Sequence, residues 1–261
     1  MKKPQALILR VAGINCEKET KFACEKAGFQ ADILHLNQRK DVEETLKKSH
    51  LIVFPGGFSY GDDLGAGRVL SIEVRERLGS SLRKFVEEGK LILGICNGFQ
   101  TLVQTGLLAA PSDGSEPVFS LTENNSRRFE ARWVSLKIRA SKSEFLIEED
   151  VIQLPVAHAE GKFVTRDESV LERLLEEDRV VLQYADSEGN EVGYPGNPNG
   201  SDGNVAGICD ATGRVLGLMP HPERFYDAFN HPRWTRTGTG IRPDGLMFFE
   251  NACEYVRRNL L

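Results

Sequence analysis

Apolar and polar residues alternate in blocks along the first 108 residues. The apolar blocks predict four strands, at residues 6–11, 31–36, 51–54 and 91–95. The blocks between them have helical spacing and predict four helices, at residues 18–27, 41–48, 72–88 and 97–108. Short strands that are apolar throughout and separated by helices are typical of a parallel sheet covered on both faces. The pattern therefore predicts an α/β fold of three layers, with a mostly parallel central sheet flanked by helices.

The rest of the chain has a different pattern. Residues 128–138 alternate like a half-exposed strand, and further strand-like runs follow at 151–156 and 180–185. Residues 206–209 and 215–219 are expected to be hairpin strands around the turn at 210–214. Residues 188–203 are rich in Gly, Asn and Pro, which predicts a loop or hairpin. A last helix is expected over residues 245–258. No repeat, low-complexity tract or linker interrupts the chain, so one domain over residues 1–261 is expected.

Composition and charge narrow the classes of function. Hydrophobic residues make up 40% and charged residues 27% of the chain, which is ordinary for a globular protein. With a net charge of -5, the chain lacks the overall excess of basic residues that is typical of a nucleic-acid-binding protein. Neither an apolar run of membrane length nor a basic and apolar leader is present, which predicts a cytoplasmic protein without a membrane partner. The five cysteines show no C-x-x-C spacing, so neither a metal site nor a disulfide framework is expected.

The candidate chemistry follows the strands of the first half. In parallel α/β sheets, sites form at the carboxyl ends of the strands. This rule places the loops at 13–16 and 56–63 along one edge of the sheet, together with Cys96.

Cys96 has the sequence context of a nucleophile. Gly94-Ile95-Cys96-Asn97-Gly98 follows a predicted buried strand and precedes a predicted helix, as in the nucleophile elbow with cysteine in place of serine. Flanking glycines permit the sharp turn, and a helix N-terminus stabilises a thiolate. The backbone N–H of Asn97 is then available to a developing oxyanion. The alternative is a buried core cysteine in a tight turn, which is the commoner role of an isolated free thiol.

A cysteine nucleophile needs a base and a group that orients the base. Met219-Pro220-His221-Pro222-Glu223 offers both, with two prolines that hold His221 and Glu223 on the same side of an extended backbone. His158-Ala159-Glu160 has the same H-x-E spacing and also follows a strand-like run. Spacing does not separate the two pairs, although the prolines slightly favour His221. A surface His-Glu pair without a catalytic role is the alternative for either.

The glycine-rich loop at 55–62 offers a second oxyanion donor. Its paired glycines let a backbone amide approach a bound atom closely, and the N–H of Gly57 is expected to pair with that of Asn97. A phosphate-binding loop is the alternative. The Lys-Ser/Thr of a Walker loop is missing, however, and Asp62 and Asp63 would repel phosphate.

The motifs PGG after one strand, GICNGFQ after the next and HPE near the end resemble the class I glutamine amidotransferases, which implies a flavodoxin-like fold. Within that family, further segments are similar to the glutaminase subunits of phosphoribosylformylglycinamidine synthase. These segments are GINCEKET, FPGGFSYGDDLGAGR, RFEARWV, HAEGKF and GYPGNPNGSDGNVAGICDATGRVLGLMPHPER. They span nearly the whole chain and occur in the family's order.

The resemblance implies a catalytic triad. Cys96 matches the nucleophile, His221 the base and Glu223 the residue that orients the base. The family's histidine lies in HPE, so the resemblance selects His221, and His158 matches a position in the wall of the glutamine site.

The resemblance also implies residues around the bound glutamine. Gly57 and Asn97 match the oxyanion-hole positions, and Phe58 and Gln100 match positions near the substrate. The other thiols match no catalytic position: Cys16, Cys24, Cys209 and Cys253.

A reaction shared between subunits is implied as well. Cys96 attacks the side-chain amide of L-glutamine, ammonia leaves, and water hydrolyses the thioester to glutamate. A large synthase subunit uses the ammonia to convert formylglycinamide ribonucleotide to its amidine with ATP and magnesium, a step of purine biosynthesis, and a small third subunit accompanies many members. No nucleotide or metal motif occurs in this chain, so ATP and magnesium are expected in the synthase partner.

Three other functions fit parts of the pattern. A glutaminase that serves another synthase would share Cys96 and the triad but would not need RFEARWV or YPGNPNGS. A cysteine peptidase or chaperone-like protein on the same scaffold would place its histidine directly after the nucleophile, where Asn97 stands, or elsewhere. A binding subunit with a dead site is disfavoured by the intact triad.

Overall fold

A computed structural model gives the fold over residues 2–108, 118–139, 141–146 and 150–261. The strands of this described part are β1 (Gln5–Arg10), β2 (Gln30–His35), β3 (Leu51–Phe54), β4 (Leu91–Ile95), β5 (Phe119–Thr122), β6 (Glu130–Ile138), β7 (Val151–His158), β8 (Lys162–Thr165), β9 (Val180–Ala185), β10 (Val205–Cys209) and β11 (Val215–Leu218). The α-helices are α1 (Glu17–Ala27), α2 (Arg39–Lys48), α3 (Arg68–Glu87), α4 (Asn97–Thr105), α5 (Glu168–Glu176), α6 (Trp234–Thr237) and α7 (Leu246–Asn259).

Within the described residues, a 9-stranded sheet has the order β2-β1-β3-β4-β11-β10-β9-β6-β7. Its pairings from β2 to β11 are parallel, and its pairings from β11 to β7 are antiparallel. Because the antiparallel pairings alternate, only β10 and β6 run against the common direction of the other strands of this sheet. The predicted α/β fold, with a mostly parallel central sheet flanked by helices, is confirmed.

Local sequence explains the centre of the sheet and its first crossover. Strands β3 (LIVF) and β4 (LILGI) are buried at every position, as expected for strands covered on both faces, and both have the predicted bounds. Helix α1 ends as predicted at Gly28, whose φ of 106° is a left-handed conformation that suits glycine.

Two helices differ from the predicted bounds by three residues or more at one end. Helix α4 ends at Thr105 instead of residue 108, because Gly106 adopts a left-handed conformation with a φ of 79°. Helix α3 begins at Arg68 instead of residue 72, directly after Gly67 with a φ of 72°. In both cases a glycine conformation sets the boundary, and helical periodicity alone does not reveal it.

Strands β5 and β8 and helix α5 are among the short elements that the sequence pattern did not predict. Strands β5 and β8 form a separate antiparallel pair, and each is 4 residues long, which leaves too few alternations for a pattern to be recognised. Helix α5 buries Val170 and Leu174 at helical spacing, so its amphipathic sequence carried a usable signal.

One hydrophobic cluster spans the described chain, from Leu7 in β1 through Val134 in β6 to Val256 in α7. This cluster agrees with the single predicted domain, which stays a prediction because residues 109–117, 140 and 147–149 lie outside the described part. None of the described helices is both long and apolar enough to cross a bilayer.

Candidate active site

The loops that follow β1, β3 and β4 meet at one edge of the sheet, as predicted. Ile14 and Gly57 form an isolated β-bridge, and the N–H of Cys16 donates to the carbonyl oxygen of Gly56 at 3.3 Å. Gly57 and Cys96 line the same cavity. The carboxyl ends of these parallel strands therefore bring the predicted loops together.

Cys96 occupies the sharp turn between β4 and α4. Its φ of 51° and ψ of -105° are strained for a residue with a side chain, as in a nucleophile elbow. Its Sγ lies 3.6 Å from the carbonyl oxygen of Ala157 at the end of β7. Gly98, one of the two flanking glycines, was expected to permit the sharp turn but has a different role. A Cβ at Gly98 would lie 1.8 Å from the carbonyl oxygen of Phe54, so Gly98 is required by close packing, and Cys96 itself carries the positive φ.

His221 and Glu223 form a buried hydrogen-bonded pair. His221 Nδ1 lies 2.6 Å from Glu223 Oε1, and their side chains are 2% and 0% exposed. The backbone between them is not extended, contrary to the prediction. Pro222 begins a 3-10 turn at Pro222–Arg224, because its fixed φ suits the first position of a helical turn, and this turn folds Glu223 back onto the imidazole.

Strand pairing brings this His-Glu pair to Cys96. Strand β11 lies parallel to β4, with Leu218 opposite Ile95. The N–H of Cys96 donates to the carbonyl oxygen of Leu218 at 2.8 Å. His221 follows Leu218 by three residues, so the two chain segments leave adjacent strands at the same edge.

The charge of His221 is controlled by its neighbours. Burial alone would lower its pKa, but the carboxylate of Glu223 and the charge of Cys96 outweigh burial and raise the pKa of His221 well above its ordinary value of 6.5. The imidazole can therefore hold a proton at neutral pH and deliver it to a leaving group beside Cys96.

The second H-x-E pair does not form a His-carboxylate contact in the structure. His158 Nδ1 lies 3.1 Å from Asn124 Oδ1, whereas Glu160 Oε2 accepts the N–H of Ala66 at 3.2 Å. His158 lines the cavity next to Cys96, as predicted for a wall position. Tertiary structure thus separates two pairs that have the same spacing in sequence.

Comparison with known proteins identifies the family. A family model described as the CobB/CobQ-like glutamine amidotransferase domain matches residues 3–256. The chain belongs to this family. The resemblance to the class I glutamine amidotransferases is therefore confirmed.

Relatives of this amidotransferase match it over nearly its full length. Phosphoribosylformylglycinamidine synthase subunit PurQ of Dehalococcoides mccartyi is 45% identical over 260 residues, which cover 99% of this chain and 100% of that protein. The subunit of the same name from Methanococcus maripaludis strain S2 is 41% identical over 268 residues, covering 98% of each. Among solved structures, PurLQS from Thermotoga maritima has a TM-score of 0.74 at 32% identity, covering 98% of this chain and 100% of that chain.

Asn97 and Gln100, two predicted site residues of the amidotransferase, are joined by a side-chain hydrogen bond. Asn97 Nδ2 donates to Gln100 Oε1 at 3.1 Å, and Asn97 Oδ1 accepts the N–H of Ser59 at 3.3 Å. Gln100 Nε2 donates in turn to the carbonyl oxygen of Glu160. The Asn97 side chain therefore holds the loop after β3 against the start of α4.

The other predicted site residues surround the cavity. Gly57, Phe58, Gln100 and His158 line it together with Cys96. Phe58 is 44% exposed and its ring packs against that of Phe129, with centroids 6.2 Å apart. The structure thus brings together every residue that the sequence predicted for the site, and their roles stay predictions.

Two carboxylates at the cavity were missed as candidate binding groups. Asp62 and Glu160 line it, and Asp62 Oδ1 accepts a hydrogen bond from Asn97 Nδ2 at 3.1 Å. Burial raises the pKa of Asp62, and the hydrogen bond from Asn97 partly opposes this effect. Asp62 follows β3 and Glu160 follows β7, so their position just after strand ends is the sequence signal that indicates them.

Cys16 is a third residue that sequence reasoning assigned no role. It precedes α1, is 1% exposed, and its Sγ accepts a hydrogen bond from Arg224 Nη2 at 3.1 Å. It lies beside His221 and contributes to the raised pKa of that imidazole. No spacing in the sequence indicates this contact, because more than 200 residues separate Cys16 from Arg224.

Hydrogen bonds determine the tautomer of His158. Asn124 Nδ2 donates to the carbonyl oxygens of Arg128 and His158, and Asn124 Oδ1 accepts the N–H of Gly161. These bonds fix which atom of the Asn124 side-chain amide is the oxygen. Because Oδ1 only accepts, His158 Nδ1 carries a proton and donates a hydrogen bond to Asn124 Oδ1. Burial lowers the pKa of His158 to about 3, and the positive field of His221 acts in the same direction. The ring is therefore neutral, with a lone pair on Nε2.

The neutral state of His158 predicts a loss of stability in acid. The pKa of His158 is 6.5 in the unfolded chain and about 3 in the folded protein. Between these two values the unfolded state binds a proton and the folded state does not, so the free energy of unfolding falls as the pH drops below 6.5. At about pH 5 this costs about 2 kcal/mol of unfolding free energy relative to about pH 7.5. Urea unfolding should show that His158→Gln reduces the acid loss by this amount. The control His35→Gln lies on β2, at the opposite edge of the sheet, and should leave the acid loss unchanged. Equal acid losses in the parent and His158→Gln would contradict the neutral assignment.

Proposed function

We propose that this chain is the glutaminase subunit of phosphoribosylformylglycinamidine synthase. It hydrolyses L-glutamine to glutamate and ammonia, and it supplies the ammonia to a synthase partner that converts formylglycinamide ribonucleotide to formylglycinamidine ribonucleotide in purine biosynthesis. The observation that carries the proposal is the buried His221–Glu223 pair beside the strained Cys96, in a chain similar to PurQ subunits along its full length. The same similarity disfavours a glutaminase for another synthase and a peptidase-like protein.

The first half of the proposed reaction forms a thioester. The thiolate of Cys96 attacks the side-chain amide carbon of glutamine, and the C–N bond breaks after the tetrahedral intermediate forms. The protonated imidazole of His221 gives its proton to the leaving nitrogen, so ammonia departs as a neutral molecule. Glu223 Oε1, at 2.6 Å from His221 Nδ1, holds the imidazole with Nε2 available for this transfer.

The second half regenerates the Cys96 thiolate. Neutral His221 takes a proton from a water molecule that attacks the thioester carbonyl. The C–S bond then breaks, glutamate leaves, and the imidazolium and thiolate are restored. Each intermediate carries its negative charge on one oxygen, which the site must stabilise.

Backbone amides of Gly57 and Asn97 are the proposed oxyanion hole. Asn97 is the first residue of α4, so its N–H is one of the unpaired donors of a helix N-terminus. Gly57 has a φ of 149°, and a Cβ there would lie 2.7 Å from Ile14 Cα. Only glycine therefore lets this loop approach the neighbouring loop and present its amide at the cavity.

The remaining proposed contacts recognise glutamine. Gln100 and His158 line the cavity together with Cys96, and His158 Nε2 is an acceptor suited to an amide N–H. Phe58 lies at the exposed rim. We propose these three as substrate-binding residues, together with the carboxylate of Asp62 as a partner for the α-ammonium group.

The synthase chemistry is proposed to lie on other chains. The name PurLQS of the Thermotoga maritima structure supports assembly with a large synthase subunit and a small third subunit. ATP and magnesium are proposed to bind the large subunit, and no cofactor is proposed for this chain.

We expect the isolated chain to hydrolyse glutamine slowly and the synthase partner to accelerate it. Ammonia released into water at neutral pH is mostly protonated and no longer nucleophilic, so hydrolysis without the partner would waste glutamine. A flip of the peptide unit between Gly56 and Gly57 would turn the N–H of Gly57 into or out of the proposed oxyanion hole, and it would break the hydrogen bond from the N–H of Cys16 to the carbonyl oxygen of Gly56. The loss of one such donor costs about 3 kcal/mol, or roughly a hundredfold in rate.

Glutaminase turnover, measured with and without the purified large subunit and its nucleotide ligands, tests this expectation and the proposed function together. The partner should raise kcat by about a hundredfold. Cys96→Ala with the partner gives the background rate. Full activity of the isolated chain, unchanged by the partner, would contradict the switch, and absence of any turnover in the complex would contradict the proposed function.

A further inference from the structure

The thiol of Cys16 is not a reacting group in the proposed reaction, yet it lies against the His221–Glu223 pair. Its Sγ, a ring nitrogen of His221 and a carboxylate oxygen of Glu223 all lie within 4.8 Å of one another, and all three residues are buried. Gly56 makes this approach possible, since a Cβ there would lie 2.7 Å from His221 Cε1 and 3.2 Å from Cys16 Sγ. A thiol, an imidazole and a carboxylate thus lie close together in the protein interior.

Thiolate, imidazole and carboxylate are the ligands that zinc prefers in proteins. A tetrahedral zinc ion holds its ligand atoms about 3 to 4 Å apart, so these three atoms need to move by only about 1 Å to share one ion. Glu223 Oε2 is also buried without a hydrogen-bond partner among the described residues. A buried carboxylate oxygen without a donor is costly, and a cation would satisfy it.

We propose that Cys16, His221 and Glu223 form an inhibitory site for Zn²⁺ and similar thiophilic divalent ions. Binding occupies the imidazole that the reaction needs as acid and base, and it pulls Glu223 from its orienting role. The inhibitory effect rests on the proposed function, whereas the metal site itself does not.

The binding step exchanges protons for the metal. Cys16 loses its thiol proton to the solvent, and His221 loses its ring proton if it is charged. The sulfur and nitrogen lone pairs then form the bonds to zinc, with no change in oxidation state. Burial raises the pKa of Cys16, so the metal must compete with a tightly held proton, and its affinity should increase as the pH rises.

Arg224 is the group that opposes the cation. Its Nη2 donates to Cys16 Sγ at 3.1 Å, and its Nε donates to Glu19 Oε1 at 2.8 Å. The Arg224 side chain is 34% exposed, so the guanidinium can turn towards solvent while it keeps its ion pair with Glu19. Removal of its charge with Arg224→Gln should therefore strengthen metal binding.

Cobalt(II) is the probe for this site, because it takes zinc geometry and a Co–thiolate bond absorbs in the near ultraviolet. The titration uses the full chain as Cys96→Ala, which has no nucleophile and leaves Cys16 as the thiol beside His221. We expect a thiolate-to-cobalt band in this variant that zinc displaces. The band should be absent from Cys96→Ala combined with Cys16→Ala. It should persist in the control that combines Cys96→Ala with Cys24→Ala, which removes a buried thiol in α1.

Two outcomes would overturn the proposal. A band in the parent that is lost with Cys96→Ala alone would place the metal between Cys96 and His221, and no band in either chain would mean that no such site exists. Because Cys16→Ala could disturb α1, Cys96→Ala combined with Glu223→Gln is a second test, expected to weaken cobalt binding at least about tenfold while the thiol is kept. Circular dichroism verifies that each variant is folded.

Inhibition is measured on the assembled synthase with glutamine. Zinc should inhibit the parent reversibly, with recovery on chelation, and Cys16→Ser should require at least about tenfold more zinc for half inhibition of its own rate. Equal zinc sensitivity of the two would overturn the inhibitory role. An enzyme inactive before zinc is added would instead refute the proposed function, so the two failures are distinguishable.

Discussion

Cys96→Ala is expected to abolish glutamine-dependent synthesis in the assembled enzyme while ammonia-dependent synthesis continues. The nucleophile of the proposed glutaminase is then absent, so no thioester forms, and the rate with glutamine should fall by roughly 10⁴-fold or more. The synthase step is proposed to lie on another chain and needs only ammonia. The measurement compares amidine formation from glutamine and from an ammonium salt.

A matched thiol supplies the control. Cys253 is fully buried in α7, and Cys253→Ala should keep glutamine-dependent synthesis in any variant that folds. A glutamine-like electrophile gives a second readout, since its label should map to Cys96 and to none of the other thiols. Retained glutamine-dependent turnover in Cys96→Ala, or a label at another cysteine, would refute Cys96 as the nucleophile.

His221→Ala should have the second largest effect. His221 is held by Glu223 at 2.6 Å, and its raised pKa lets it act as acid and then as base beside Cys96. Loss of both proton transfers is expected to reduce the glutaminase rate by about 10³-fold. Ammonia-dependent synthesis of the complex should again be retained, which separates this effect from misfolding.

His158→Ala is the matched comparison, because His158 stands in the other H-x-E pair and lines the same cavity. Its ring is bonded to Asn124 and neutral, so it offers a hydrogen bond to substrate but no proton in the working range. We expect a loss of no more than about tenfold, the scale of one hydrogen bond. A loss at His158 that equals or exceeds the loss at His221 would reverse the two assignments.

Features set by neighbours along the chain were predictable from the sequence. Strands β3 and β4 have the predicted bounds. An unbroken apolar run of four or five residues between amphipathic helices is buried on both faces only as a central strand of the sheet, so its ends are easy to predict. The elbow at Cys96 was predictable for the same reason, since strand, glycine and helix signals lie within a few residues of each other.

Features set by contacts between distant segments needed the tertiary structure. The two H-x-E pairs are equivalent in spacing, and only the 3-10 turn after His221 and the bond from His158 to Asn124 distinguish them. The pairing of β5 with β8 and the reversal of β6 belong to the same class. The antiparallel pairing of β10 with β11, in contrast, confirms the hairpin that the sequence predicted.

Cys16 is the clearest case in which the tertiary structure shows a contact that the sequence does not predict. The sequence alone predicted the α/β fold, Cys96 as the candidate nucleophile and most of the residues that line the cavity, because those signals are periodic or concentrated in short motifs. The tertiary structure alone decided that Cys16 and Arg224, more than 200 residues apart, enclose the His221–Glu223 pair. Burial, hydrogen-bond partners and local charge depend on distances in space, and a linear pattern does not contain those distances.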